Sequence, residues 1–231
     1  MFNFSLSTCF SYTKNCITQG LQIIAPPFCC YCKVTLNKRN ALCDACLQDI
    51  KPLVSTTLEI TKKYQMRVFC VGAYQEPLKG FILAKGRSDN LACYYMAQLI
   101  YHHSLFKHLE IDYIIPIPLH WRRYAKRGYN QSAEIAKYLS KWSGAPIMHV
   151  LKRHKATPFQ SQCSKEERFE NVQDVFNITL NDEQKVALKN KRLLLVDDVM
   201  TTGATLISAG KLLRILQPAE INAVVLARTH V

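Results

Sequence analysis

The stretch LLLVDDVMTTGATL, residues 193–206, constrains this chain more than any other. Four apolar residues run straight into two adjacent carboxylates. Small hydroxyl residues and a glycine then lead into a second apolar segment. A continuous apolar run of this length is a strand buried on both faces, which is the habit of parallel sheets. In an open α/β sheet, ligands bind beyond the carboxyl ends of the strands, and Asp197 and Asp198 stand there. Thr201, Thr202, Gly203, Ala204 and Thr205 form the loop entering the next helix. Backbone N–H groups at a helix N-terminus, threonine hydroxyls and an unhindered glycine make a phosphate cradle. Two carboxylates beside it suit vicinal hydroxyls or a hydrated magnesium ion. The competing interpretation is an acidic turn with a capping threonine.

The rest of the chain repeats the alternation of strand and helix. YIIPI, ending in prolines, is a strand; NQSAEIAKYLSKW is an amphipathic helix stopping at Gly144; APIMHVLKR and residues 175–178 are strands. RLLLVDDV is followed by a helix, GATLISAGKLLRILQP, and a last strand, INAVVLART. Residues 67–74 form the first β-rich run after a linker, and residues 76–103 give two helices broken near Gly86 to Asn90, with Ser88 or Asp89 as cap. The expectation is a parallel sheet with helices on both faces, occupying residues 61–231. Residues 1–60 would hold an N-terminal amphipathic helix and a small cysteine module.

That module is CCYCKVTLNKRNALCDAC, which carries five of the ten cysteines. Cys29 and Cys32 form one Cys-x-x-Cys hook, Cys43 and Cys46 the other. Two such hooks surround one tetrahedral ion, so structural zinc is expected, with iron–sulfur ligation as the alternative. Cys30 is a spare, because pairing it with Cys32 shortens the hook. No apolar run reaches the roughly 20 residues of a transmembrane helix. The N-terminus lacks the basic and apolar regions of a signal peptide. A cytoplasmic protein with reduced or metal-bound thiols is expected.

The net charge is +13. It favours a polyanionic partner over a surface that is basic merely for solubility. Residues 121–170 hold 11 Lys and Arg against 4 Asp and Glu, interleaved with Trp121, Tyr124, Tyr129, Phe159 and Phe169. Cations bind phosphates and rings stack on unpaired bases, so a single strand fits this composition. Arg122, Arg123, Lys126, Arg127, Tyr129, Lys152, Arg153 and Lys155 are the candidate nucleic-acid contacts.

Residues 193–206 closely resemble the phosphoribosyl pyrophosphate (PRPP) motif of type I phosphoribosyltransferases. With the four-cysteine module, DYIIPIPLHWRRYAKRGYNQSAEIAKYL and RHKATPFQSQCSKEERFENVQDVF, the chain resembles the ComF family of competence-related proteins from about residue 26 onward. The resemblance implies a cytoplasmic protein of natural transformation that acts on single-stranded DNA beside other DNA-uptake or recombination proteins. It also implies PRPP with magnesium in the pocket. By that resemblance Asp197 and Asp198 are the ribose-binding acids, and residues 201–205 the 5-phosphate loop. The turn after Pro116 to Pro118 would receive pyrophosphate, flanked by Arg122 and Arg123, and residues 153–170 would form a hood over it. Purine enzymes of the superfamily carry an aspartate where Thr201 stands, which argues against purine salvage. Turnover stays open: the alternative to binding alone is an active phosphoribosyltransferase with a small nitrogenous acceptor.

Overall fold

A computed structural model describes residues 26–53, 55–83, 90–119, 121, 124–125, 128–154 and 175–229. The expected N-terminal helix, the cap at Ser88 or Asp89 and most of the expected hood lie outside these residues. The chain forms two compact units, Met1–Asp49 and Ile50–Val231.

In the first unit, residues 27–36 form a tight hairpin. Phe28 bridges Thr35, the Cys29 N–H donates to the Val34 carbonyl at 2.8 Å, and the Leu36 N–H donates to the Pro27 carbonyl at 2.7 Å. Helix α1 (Asp44–Gln48) follows, with Cys43 at its N-cap. Among the described residues of this unit, Cys29, Ala41, Leu42 and Cys46 are buried.

The second unit is built on a five-stranded sheet in the order β1-β2-β7-β6-β3. Strands β2 (Tyr64–Ala73), β7 (Glu220–Arg228), β6 (Arg192–Met200) and β3 (Tyr113–Pro116) run parallel; β1 (Thr56–Thr61) pairs antiparallel with β2 at the edge. The expected linker before residue 67 is therefore largely this edge strand and the start of β2. Side chains alternate across the sheet. Ile115, Leu193, Leu195, Ile221, Ala223 and Val225 share one core with Ala204, Leu206, Ala209 and Leu213 of α6 (Ala204–Leu213). Ile114, Leu194, Val196, Val224 and Leu226 alternate with them and are equally buried. Helices α3 (Asn90–His103) and α4 (Gln131–Ser143) pack on each other and on the strands. Burial on both faces is why these strands are continuously apolar.

The shorter elements are α2 (Leu78–Leu83), the two-stranded β4 (Leu151–Arg153) with β5 (Phe176–Ile178), and α5 (Asp182–Ala187). The expected strand over APIMHVLKR is thus shorter, preceded by an isolated bridge from Ile147 to Ile114. Helix α4 stops where expected: Gly144 takes φ +78°, and its N–H closes on the Ser140 carbonyl at 2.8 Å. At the opposite end of the strands, Arg192 grips Asp112 through its backbone N–H (2.8 Å) and guanidinium (3.0 and 3.1 Å), and also pairs with Glu110. This fastens the start of β6 to the segment entering β3.

Candidate functional site

Strand β6 does not stop at Val196. It continues through Asp197 and Asp198 to Met200, still paired with β7. The two acids therefore sit on rigid backbone, with their side chains sent in different directions by the pleat. At the carboxyl ends of β3 and β6 lies a cavity of about 350 Å³. Asp197, Asp198, Thr201, Gly203, Ala204 and Thr205 line it together. Thr202 braces the loop, its Oγ1 accepting from the Ala204 N–H at 3.4 Å. Four of the five loop residues expected to cradle a phosphate thus border one cleft with the two expected carboxylates.

Gly203 is the N-cap of α6 with φ +79°. A Cβ there would stand 2.8 Å from Leu58 Cδ1, a side chain of β1. Both the left-handed backbone and the close approach demand glycine. This turn places the N-terminus of α6 at the cleft, where the helix terminus carries partial positive charge.

Other residues complete the floor. Ser132, from the first turn of α4, is 4% exposed and donates through Oγ to Asp197 Oδ1 at 3.0 Å. The Asp198 N–H reaches the same oxygen at 2.9 Å, and the Val199 N–H reaches Asp198 Oδ1 at 2.8 Å. Asn130 donates to the Ile117 carbonyl at 2.9 Å and so holds the segment after β3 against the start of α4. Burial pushes the Asp197 carboxyl up to about 7, and the neighbouring Asp198 charge pushes the same way. The bonds from the Asp198 N–H and Ser132, with the charge of Arg153, pull against that rise. Tyr74, at the end of β2, also lines the cleft, and burial followed by the charges of Asp198 and Glu76 raises its phenol.

Arg153 and Lys152 were expected on one nucleic-acid surface, and the pleat of β4 separates them. Lys152 is exposed, whereas Arg153 is 9% exposed and lines the cleft. Tyr129 is half-buried and is not among the cleft residues. Trp121 and Tyr124 are 64% and 52% exposed. Arg122, Arg123, Lys126, Arg127 and Lys155 lie outside the described residues. Ser132, Asn130 and Tyr74 had no assigned role from sequence. Their one available signal was that Asn130 and Ser132 open the first helix after the YIIPI strand.

In the separate cysteine unit, the sulfurs of Cys29, Cys32, Cys43 and Cys46 all lie within 4.8 Å of one another. Cys32 Sγ and Cys43 Sγ are 3.6 Å apart. Tetrahedral zinc with bonds of about 2.3 Å sets its sulfurs about 3.8 Å apart, so the cluster fits such an ion. Burial alone would raise the Cys29 thiol. Backbone N–H groups of Cys43, Cys32 and Tyr31 instead bring it down, whereas burial and the neighbouring thiols push Cys46 up. Cys30 lies outside the cluster, as expected for the spare cysteine.

The chain is similar to several known proteins. A family model described as phosphoribosyl transferase domain matches residues 125–231. Competence protein F of Haemophilus influenzae is 30% identical over 239 residues, covering 98% of both chains. DNA utilization protein YhgH of Escherichia coli K12 is 31% identical over 119 residues, covering 51% of this chain and 50% of its own. Among solved structures, an adenine phosphoribosyltransferase aligns at 18% identity with a TM-score of 0.37, covering 78% of this chain and 89% of that one.

Proposed function

This chain belongs to the competence protein F family, and on that premise we propose that it handles single-stranded DNA in natural transformation while holding PRPP and magnesium in the cleft. The observation that carries the pocket half is the meeting of Asp197 and Asp198 with Thr201, Gly203, Ala204 and Thr205 around one cavity. The two carboxylates would accept from the 2- and 3-hydroxyls of the ribose or from water on magnesium. The N–H groups of the Gly203 turn would receive the 5-phosphate. Ser132 holds Asp197 in register for that contact, and Arg153 offers the cleft a cation.

The DNA half is supported by the competence and DNA-utilization relatives and by the exposed rings of Trp121 and Tyr124, which alternate in sequence with Arg122, Arg123, Lys126 and Arg127. Lys152, Lys155 and Tyr129 extend the same set. Partners would include other DNA-uptake or recombination proteins in the cytoplasm. Among the described residues, no helix is long and apolar enough to cross a membrane. The four-cysteine unit would carry structural zinc, whose chemistry is to supply folding energy.

A second reading is an active phosphoribosyltransferase, favoured by the same complete ribose-phosphate half. Three measurements test and separate the readings. PRPP with magnesium should raise the melting temperature, and single-stranded DNA should bind with affinity that falls steeply with salt, by a log–log slope of about −0.7 per phosphate contact. No thermal shift and no strand binding at low salt would overturn the proposal. Pyrophosphate release with one member of a panel of nitrogenous bases would establish the second reading.

A further inference from the structure

Helix α3 reads NLACYYMAQLIYHH and contains no carboxylate, lysine or arginine. A surface helix normally turns charge outward. Here Cys93, Met96, Ala97 and Ile100 are buried, while Tyr94 and Tyr101, two turns apart on one stripe, are half-buried. On α4, Tyr138 and Trp142 are one turn apart and also half-buried. The four rings meet across the two helices. Tyr94 lies 5.3 Å from Tyr138 and 5.9 Å from Trp142, centroid to centroid, and Tyr101 lies 5.3 Å from Trp142. All four residues stay half-buried, so this aromatic cluster sits at the outer side of the two helices rather than in the core.

The border of this face is cationic. Lys107 Nζ stands 4.8 Å from the centre of the Tyr101 ring. Lys141 is exposed next to Trp142 in sequence; His102 and His103 at the end of α3 add no charge at neutral pH, because burial and neighbouring positive charge push their imidazoles down. The one carboxylate in the sequences of α3 and α4, Glu134, is held by Lys137 at 2.7 Å. Rings that stack, bordered by cations that bind phosphate, match an unpaired strand with its bases turned inward. A second copy of this chain matches poorly, because a net charge of +13 would bring like-charged borders together.

We infer that Tyr94, Tyr101, Tyr138 and Trp142 form a stacking platform for single-stranded nucleic acid, with Lys107 and Lys141 as phosphate contacts. The inference rests on the DNA-handling reading above and names a surface other than the basic segment 121–129. Ser132, at the cleft, and Trp142 lie on the same helix, roughly 15 Å apart along its axis at about 1.5 Å per residue. A strand on the platform would lie within a few nucleotides of the cleft.

The test uses the full zinc-loaded chain and oligo(dT) at two salt concentrations. Trp121 and Trp142 are the only tryptophans, so Trp121→Phe leaves Trp142 as sole reporter. Its emission should be quenched as the strand binds. Tyr94→Ala and Tyr101→Ala should each weaken binding roughly 5- to 150-fold, the loss of one base stack. Tyr94→Phe should bind like wild type, and Lys107→Ala should flatten the salt slope by up to about 0.7. Unchanged Trp142 emission in a strand-bound protein would overturn the platform without recourse to any tyrosine variant. So would wild-type affinity in both alanine variants, with losses confined to Lys126→Ala and Arg127→Ala. Sedimentation showing a dimer that Tyr101→Ala dissociates would assign the face to a second copy instead. No strand binding by the unmodified chain at either salt would remove both the platform and the DNA reading beneath it.

Discussion

Ser132 Oγ and Asp197 Oδ1 lie 3.0 Å apart, which ties the first turn of α4 to an acid near the end of β6. The bond favours the ionised carboxyl, against burial and the charge of Asp198. Ser132→Ala should therefore reduce the thermal shift produced by PRPP and magnesium, whereas Asp197→Asn/Asp198→Asn should abolish it. Differential scanning fluorimetry of the three proteins checks this. Equal shifts in all three would mean that the acids do not meet the ligand.

The same carboxyl fixes a pH dependence. Asp197 titrates at about 7 in the fold and at about 3.9 in an unfolded chain. Between those values the native state holds a proton that the unfolded state has lost, so Asp197 makes unliganded stability fall as pH rises from about 4 to about 7. A ligand that needs the carboxylate does the opposite. Its thermal shift should grow as pH rises through about 7, and Asp197→Asn should flatten both trends.

Gly203 carries two constraints, φ +79° and the 2.8 Å approach of Leu58. Gly203→Ala should lower stability by roughly 1–3 kcal/mol and blunt PRPP binding. Adding Leu58→Ala should relieve the clash but leave the backbone strain, so the double variant should recover only part of the loss. Denaturant midpoints of the single and double variants measure the split.

Metal analysis of the purified chain should find about one zinc per molecule, and Cys43→Ser should lower zinc content and solubility together. Full occupancy in Cys29→Ser/Cys43→Ser would exclude this ligand set.

Arg192 holds the Asp112 carboxyl down at about 2, chiefly through side-chain and backbone hydrogen bonds. Its contribution is present above about 4 and is lost as pH falls toward 2. Asp112→Asn should cost about 1 kcal/mol or less at neutral pH, since the pair is partly exposed, and progressively less as pH falls through about 2. Acid titration of thermal stability for both proteins shows the convergence.

The sheet interior was legible because burial on both faces leaves an unbroken apolar signature, as in LLLV and AVVLA. Strand β1 was not, because TTLEIT lies at the edge with only Ile60 buried, and its polar residues resemble a linker. Helix α5 buries nothing and so has no apolar period; its one sign was the capping box between Asn181 and Gln184. The acids and the loop were legible as a contiguous motif. The parts of the cleft supplied by Tyr74, Ser132 and Arg153 come from three distant segments, and only the folded sheet brings them to Asp197 and Asp198. The alternation in β4 that turns Arg153 inward covers three residues, too few for a periodic signal.

The edge strand dictates how this protein can be dissected. Truncation at residue 60, a natural choice from sequence, would delete Leu58 and most of β1 while leaving β2 behind. The hydrogen-bonding edge of β2 would then be bare, a template for intermolecular pairing, and the Gly203 turn would lose the side chain that backs it. A fragment beginning at Ile50 keeps both, so a loss of PRPP binding in the shorter fragment would report a missing strand rather than a contribution from the cysteine module.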